Sequence, residues 1–172
     1  MSAADATAEP AGARRAGAAS RHDSVLAEIA RVAGSSLDLD VVLDRIVERA
    51  AALTGADRTS IWLLDRGGGR LLPSALHGMD ATFTAAWKQR PLDLAEERLS
   101  KEVIETGRPV VVHDPAADPR TEKSSVEFFG DRSILVAPLA RRGEVIGTLF
   151  MNHVRRAYRF TAEDVATAEA IA

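Results

Sequence analysis

The sequence predicts an α+β fold: a central antiparallel β-sheet flanked by helices on both faces. Three observations carry that expectation. Apolar residues recur at helical spacing before Gly55 and again after Thr161. Two pairs of apolar, extended segments are each joined by a short turn containing glycine. Helices therefore bracket an antiparallel meander rather than alternating with single strands.

Residues 24–33 place Val25, Leu26, Ile29 and Val32 on one stripe, and Gly34 is a C-terminal stop. Asp38 or Asp40 can cap a second helix. In it Leu39, Val42, Leu43, Ile46, Ala50 and Leu53 repeat at helical spacing, and Gly55 ends it. Residues 58–64 then turn apolar and extended. Asp65-Arg66-Gly67-Gly68-Gly69 follows as a hairpin signal, with 70–77 as the return strand. Pro73 cannot donate to a ladder, so that strand is expected at an edge.

Residues 79–107 read as two helical pieces. Phe83 and Trp87 lie four apart on one face, and Leu99, Val103 and Ile104 mark the second piece. Gly107-Arg108-Pro109 breaks it. A short strand over 110–112 feeds the turn His113-Asp114-Pro115. Residues 116–130 are polar and read as loop and short helix. Strands over 133–139 and 144–152 meet across Arg141-Arg142-Gly143, with Pro138 marking the end of pairing. Thr161-Ala162-Glu163-Asp164 has the form of a capping box, and Val165, Ala168 and Ile171 supply a stripe. That helix has three turns and no C-terminal cap, so the natural chain is expected to continue beyond it.

Composition narrows the chemistry. Of 172 residues, 46% are hydrophobic, enough for one packed domain. The formal charge of -3 gives no general attraction to nucleic acid or anionic membrane. No apolar run approaches the roughly 20 residues of a membrane span. The absence of cysteine removes thiolate metal sites, cysteine nucleophiles and thioether-linked chromophores, and fits a reducing cytoplasm. Residues 1–22, rich in Ala and Gly without a continuous apolar core, are expected to form a disordered tail.

Several segments, in this order, resemble a GAF domain, a sensory and regulatory module of bacterial signalling proteins. They are Ser36-Leu37-Asp38-Leu39-Asp40-Val41-Val42-Leu43, Thr54-Gly55-Ala56-Asp57 and Ser60-Ile61-Trp62-Leu63-Leu64-Asp65. Then come Glu105-Thr106-Gly107-Arg108-Pro109-Val110-Val111-Val112 with Asp114, and Arg132-Ser133-Ile134-Leu135-Val136-Ala137-Pro138-Leu139. Gly143-Glu144-Val145-Ile146-Gly147-Thr148-Leu149 and Phe160-Thr161-Ala162-Glu163-Asp164 complete the set. The likeness covers about residues 23–172, the expected domain.

The resemblance implies a GAF/PAS-like sheet with a ligand pocket on one face under a helical lid. It places candidate ligand-binding residues at Ser60 and Trp62 on the first strand, and at Leu76 and His77 ending the second. Phe83 and Trp87 would form an apolar wall. Leu99 and Ser100 start the lid helix, Asp131 precedes the strand at 133, and Phe150 lies on the last strand. The implied function is to bind a small molecule or partner and pass a conformational signal to an attached output domain, such as a histidine kinase, phosphatase or transcription regulator. The alternative is a ligand-free dimerisation module. Terminal-helix stripes exceeding what one small sheet needs to bury point to a homodimer in either case.

Special chemistries fit the residues less well. Cyclic-nucleotide-binding members carry Asn-Lys, Phe and Asp-Glu; here His153 follows Asn152, and Val165 stands where Glu belongs, although Phe160 and Asp164 match. Phe150 replaces an acidic purine contact, and an apolar ring accepts no hydrogen bond. His22, His77, His113 and His153 show no paired metal spacing, though His77 and His113 both end strands and could converge on a haem. The cofactor is left unassigned. Gly67-Gly68-Gly69 lacks the Lys-Ser/Thr of a phosphate loop, and no nucleophile has a base beside it. No catalysis is expected. Arg155, Arg156 and Arg159 with Tyr158 read as a solvated connector, not a nucleic-acid site.

Overall fold

The computed structural model describes residues 39–65 and 67–172. The expected tail over 1–22, the helix over 24–33, the Asp38 cap and Arg66 lie outside the described residues.

Helix α1 (Leu39–Thr54) leads into β1 (Arg58–Leu64) and β2 (Arg70–His77), followed by α2 (Ala81–Lys88), β3 (Leu92–Asp93) and α3 (Arg98–Thr106). Then come β4 (Val110–Val112), α4 (Lys123–Phe129), β5 (Ser133–Arg141), β6 (Glu144–His153) and α5 (Ala162–Ile171). The strands form one antiparallel sheet in the order β3-β2-β1-β6-β5-β4. Strand period separates two cores. Ile61, Leu135, Leu149 and Met151 face α1 and α5, while Trp62, Val136 and Phe150 face the residues of α2 and α3.

On α1 the buried stripe is Leu43, Ile46, Val47 and Ala50. Each of the larger side chains gains about 1.5–3 kcal/mol from burial. The sequence reading differs at the helix ends. Leu39 and Leu53 share the periodicity but are 59% and 57% exposed, because they sit past the stretch that packs on the sheet. Gly55 (φ 67°) and Gly107 (φ 63°) close α1 and α3 in the left-handed conformation a side chain disfavours.

Both prolines find sides without a partner. β2 is not the edge strand expected from Pro73, since β3 lies outside it, but β3 pairs only with Arg70 and Leu71, so at Pro73 the outer side of β2 is open and no donor is missed. Pro138 does not end pairing: it stands opposite Thr148, and β5 runs on to Arg141. It is tolerated because β4 has stopped at Val136, leaving the other side of β5 without a strand. The β5–β6 turn takes Arg142 (φ 54°) and Gly143 (φ 85°) to positive φ, the geometry of a two-residue hairpin. At Gly147 a Cβ would stand 2.2 Å from the Trp62 carbonyl oxygen, so only glycine lets β6 approach β1 there.

Candidate functional site

The sheet face opposite α1 carries a cavity of about 40 Å³. Its floor follows from strand alternation. Arg58, Ser60 and Trp62 point the same way from β1, and Phe150 and Asn152 stand opposite them on β6. Ile134 of β5 extends the floor beside Asn152. Leu92 and the start of α3, with Glu97 and Leu99, form one wall. Thr121, Glu122 and the residues Ser125, Val126 and Phe129 of α4 form the other, and Asp131 closes the end.

The polar end is built around a buried ion pair. Arg58 is 2% exposed. Its guanidinium donates to Asp131 at 2.5 Å and to the Phe129 carbonyl at 2.8 Å. The same group lies 5.3 Å from the Phe83 ring centroid and 5.2 Å from that of Phe129. Burial pushes the Asp131 carboxyl up to about 6, against the opposing pull of Arg58 and of the Asn152 amide hydrogen bond. Desolvation also lowers Arg58 from its ordinary value, with Asp131 acting the other way. Asn152 is buried and its Oδ1 has no hydrogen-bond partner. Ser60 Oγ accepts from Trp62 Nε1 at 3.0 Å.

Glu97 caps α3, accepting from the Ser100 amide. Burial raises its carboxyl, the amides at Ser100 and Leu99 oppose this, and the negative Glu122 adds to the rise. The loop before α4 is tied to α3 by Arg120, which bridges Asp118 and Glu102 at 2.8 and 3.0 Å.

Of the candidate residues named from sequence, Ser60, Trp62, Leu99, Asp131 and Phe150 meet at the cavity. The other five stand elsewhere. Trp87 is buried behind Trp62, edge-to-face at 5.0 Å. Phe83 packs on Phe128 and Phe129 and on Arg58. Leu76 is half-buried in the same apolar cluster, and His77 is exposed. Ser100 is fully buried in α3 beside Glu97 and lies outside the cavity lining.

Sequence reasoning missed Arg58, Glu97, Asn152 and the inner face of α4. Arg58 and Asn152 each lie one strand period from a named residue, Ser60 and Phe150, so period two could have found them. The α4 residues carried no such signal.

His77 and His113 do not converge. They are exposed and end β2 and β4, four strand spacings apart across the sheet. Among the described residues no group of His, Asp or Glu is arranged to hold a metal ion. Tyr158 stacks on His153 at 4.2 Å and donates to Asp164, so the aromatic of the basic connector is held within the domain.

A family model described as GAF domain matches residues 38–172. No curated protein matches the chain. Among solved structures the chain is similar to the GAF domain/HD domain protein from Geobacter sulfurreducens. Identity is 20% and the TM-score 0.70, over 78% of this chain and 86% of that one. It is similar to the GAF domain of a phosphoenolpyruvate-protein phosphotransferase from Coxiella burnetii, at 20% identity and a TM-score of 0.68, over 85% and 84%. It is also similar to free methionine-R-sulfoxide reductase from Neisseria meningitidis, solved with its substrate, at 21% identity and a TM-score of 0.65, over 99% and 91%. At these identities the structural likeness shows the fold.

Proposed function

Because the chain belongs to the GAF domain family, we propose that it is a non-catalytic sensory module whose cavity takes a small molecule. Occupancy shifts the packing of α3 and α4, and the terminal helices pass the shift to an attached output domain. One observation carries the reading: an apolar cavity with a few convergent polar groups at one end, Arg58, Asp131 and Asn152. Non-catalysis is supported by composition. The chain has no cysteine for thiol redox chemistry. The reading places the module in the cytoplasm as a homodimer joined through its terminal helices. No helix among the described residues is long and apolar enough to cross a membrane.

A second reading, a ligand-free dimerisation module, is favoured by the cavity's size. About 40 Å³ is far below the several hundred of a typical preformed ligand site. Thermal melting against a small-molecule panel separates the two. Ligands are expected to raise the melting temperature by mass action. Ser60→Phe fills the cavity from the floor and Val126→Phe from the lid; both are expected to abolish the rise. Stabilisation that survives both variants would place binding elsewhere, and no stabilisation by any compound would favour the structural module.

A further inference from the structure

We infer that the ligand of this cavity is a small organic cation, a short-chain primary amine in its ammonium form. The inference rests on the reading of the cavity as a ligand site and adds the chemistry of what enters it.

The charge of the wall comes first. Among the described residues that line the cavity, three carboxylates, Glu97, Glu122 and Asp131, face one guanidinium, Arg58. That guanidinium is already committed. Two of its five donors go to Asp131 and the Phe129 carbonyl, its charge is opposed by Asp131, and its face lies against two phenyl rings. An entering anion would meet a cation already paired with Asp131 and two further carboxylates in the lining. Glu97 and Glu122 repel each other across the gap between α3 and α4. A positive charge placed between them relieves that repulsion.

A second, independent observation comes from the floor. Asn152 is 2% exposed, and its amide engages Asp131. This orients the side chain with its carbonyl oxygen left over, and that oxygen has no partner. A buried acceptor without a donor is costly, at about 1–3 kcal/mol. An ammonium group has three donors and no acceptor, so it can satisfy Asn152 Oδ1 in a cavity whose lining carries three carboxylates.

The rest of the cavity suits a short alkyl stem. Trp62, Leu99, Val126, Ile134 and Phe150 supply apolar contact. The volume of about 40 Å³ equals roughly three water-sized groups at ~15 Å³ each, which limits the stem to a few carbons.

Isothermal titration calorimetry with n-propylammonium chloride, 1-propanol and sodium propionate tests this, since the three differ chiefly in charge. Propylammonium is expected to bind at least about tenfold tighter than propanol, with propionate weakest. Glu122→Lys, an exposed substitution at the mouth, should weaken propylammonium about tenfold or more and leave propanol within about twofold. Propanol or propionate binding as tightly as propylammonium would overturn the cation assignment while leaving the cavity a ligand site. Binding of none of the three, together with no rise in the wild-type melting temperature in the presence of any of them or of the small-molecule panel, would overturn both.

Discussion

Arg58 shows how one residue can set the character of a site. It opens a central strand that turns apolar only from Ile61 on, is nearly inaccessible, and shares its charge with a single buried carboxylate. Breaking such a pair from one side costs about 3–5 kcal/mol, because the remaining charge is stranded. Arg58→Met keeps apolar volume against Phe83 and Phe129 but removes the cation that holds Asp131 down. The carboxyl, already raised to about 6, then rises further. The sign follows from linkage. A carboxyl raised on folding contributes stability that is full below its unfolded value near 3.8 and lost as pH rises through the folded value. The variant's deficit should therefore be small at about pH 5 and grow toward about pH 8, by up to about 2.7 kcal/mol in urea unfolding, since one unit of pKa is about 1.4 kcal/mol and pH 8 lies about two units above the folded value. A deficit independent of pH would show that Asp131 does not depend on Arg58. Arg58 was hidden in the sequence because a strand-initial arginine usually reaches water. Only the closure of α4 over it, with Phe129 and Asp131 arriving from more than seventy residues away, buries the charge.

At the scale of elements, the caps were the most legible features. Thr161 accepts from the Asp164 amide, and the Asp164 carboxylate accepts from Thr161 N–H, so both halves of the capping box form. The start of α5 is set within four residues and needs no partner from elsewhere. Thr161→Ala should cost about 1 kcal/mol. That corresponds to roughly fivefold faster amide exchange in the first turn of α5 if local opening dominates. Unchanged exchange would assign the helix start to packing of Ala168 on α1 instead. Glu97 does the same work for α3, yet it also lines the cavity. The acidic start of that helix is visible in the sequence, but which side of it meets open space is not. The short strand β3 was missed for a related reason. Two residues carry no period, and Leu92–Asp93 becomes a strand only because Arg70 and Leu71 offer a free edge.

For the whole molecule, the exposed ends of α1 are the feature the domain itself does not use. Leu39 and Leu53 remain more than half exposed, and Val41 is 40% exposed. The α5 stripe of Val165, Ala168 and Ile171, expected from sequence to pair between copies, packs on the domain's own core instead, so in the proposed homodimer the exposed side chains of α1 are those that meet a second copy. Sedimentation equilibrium of wild type and of Leu39→Glu combined with Leu53→Glu tests this. A dimer converted to monomer by the two charges is expected. A monomeric wild type at micromolar concentration would remove the dimer from the reading, and a dimer insensitive to both charges would move the interface elsewhere.

Two strand pairs, four helix positions, the glycine ends of α1 and α3 and the capping box of α5 follow from periods of 2 and 3.6, from glycines at helix ends and from the turn residues. All of these are local interactions spanning a few residues, so the sequence by itself determined the α+β architecture of residues 39–172. The resemblance carried by ordered motifs determined the family, matched over residues 38–172. The cavity was decided otherwise. Its charge balance joins Arg58, Glu97, Asp131 and Asn152, which come from four separate places in the chain. Whether each is paired, buried or left with an open acceptor depends on the register of β1 on β6 and on how α4 closes over the sheet. Those are long-range packing outcomes, and no local pattern encodes them.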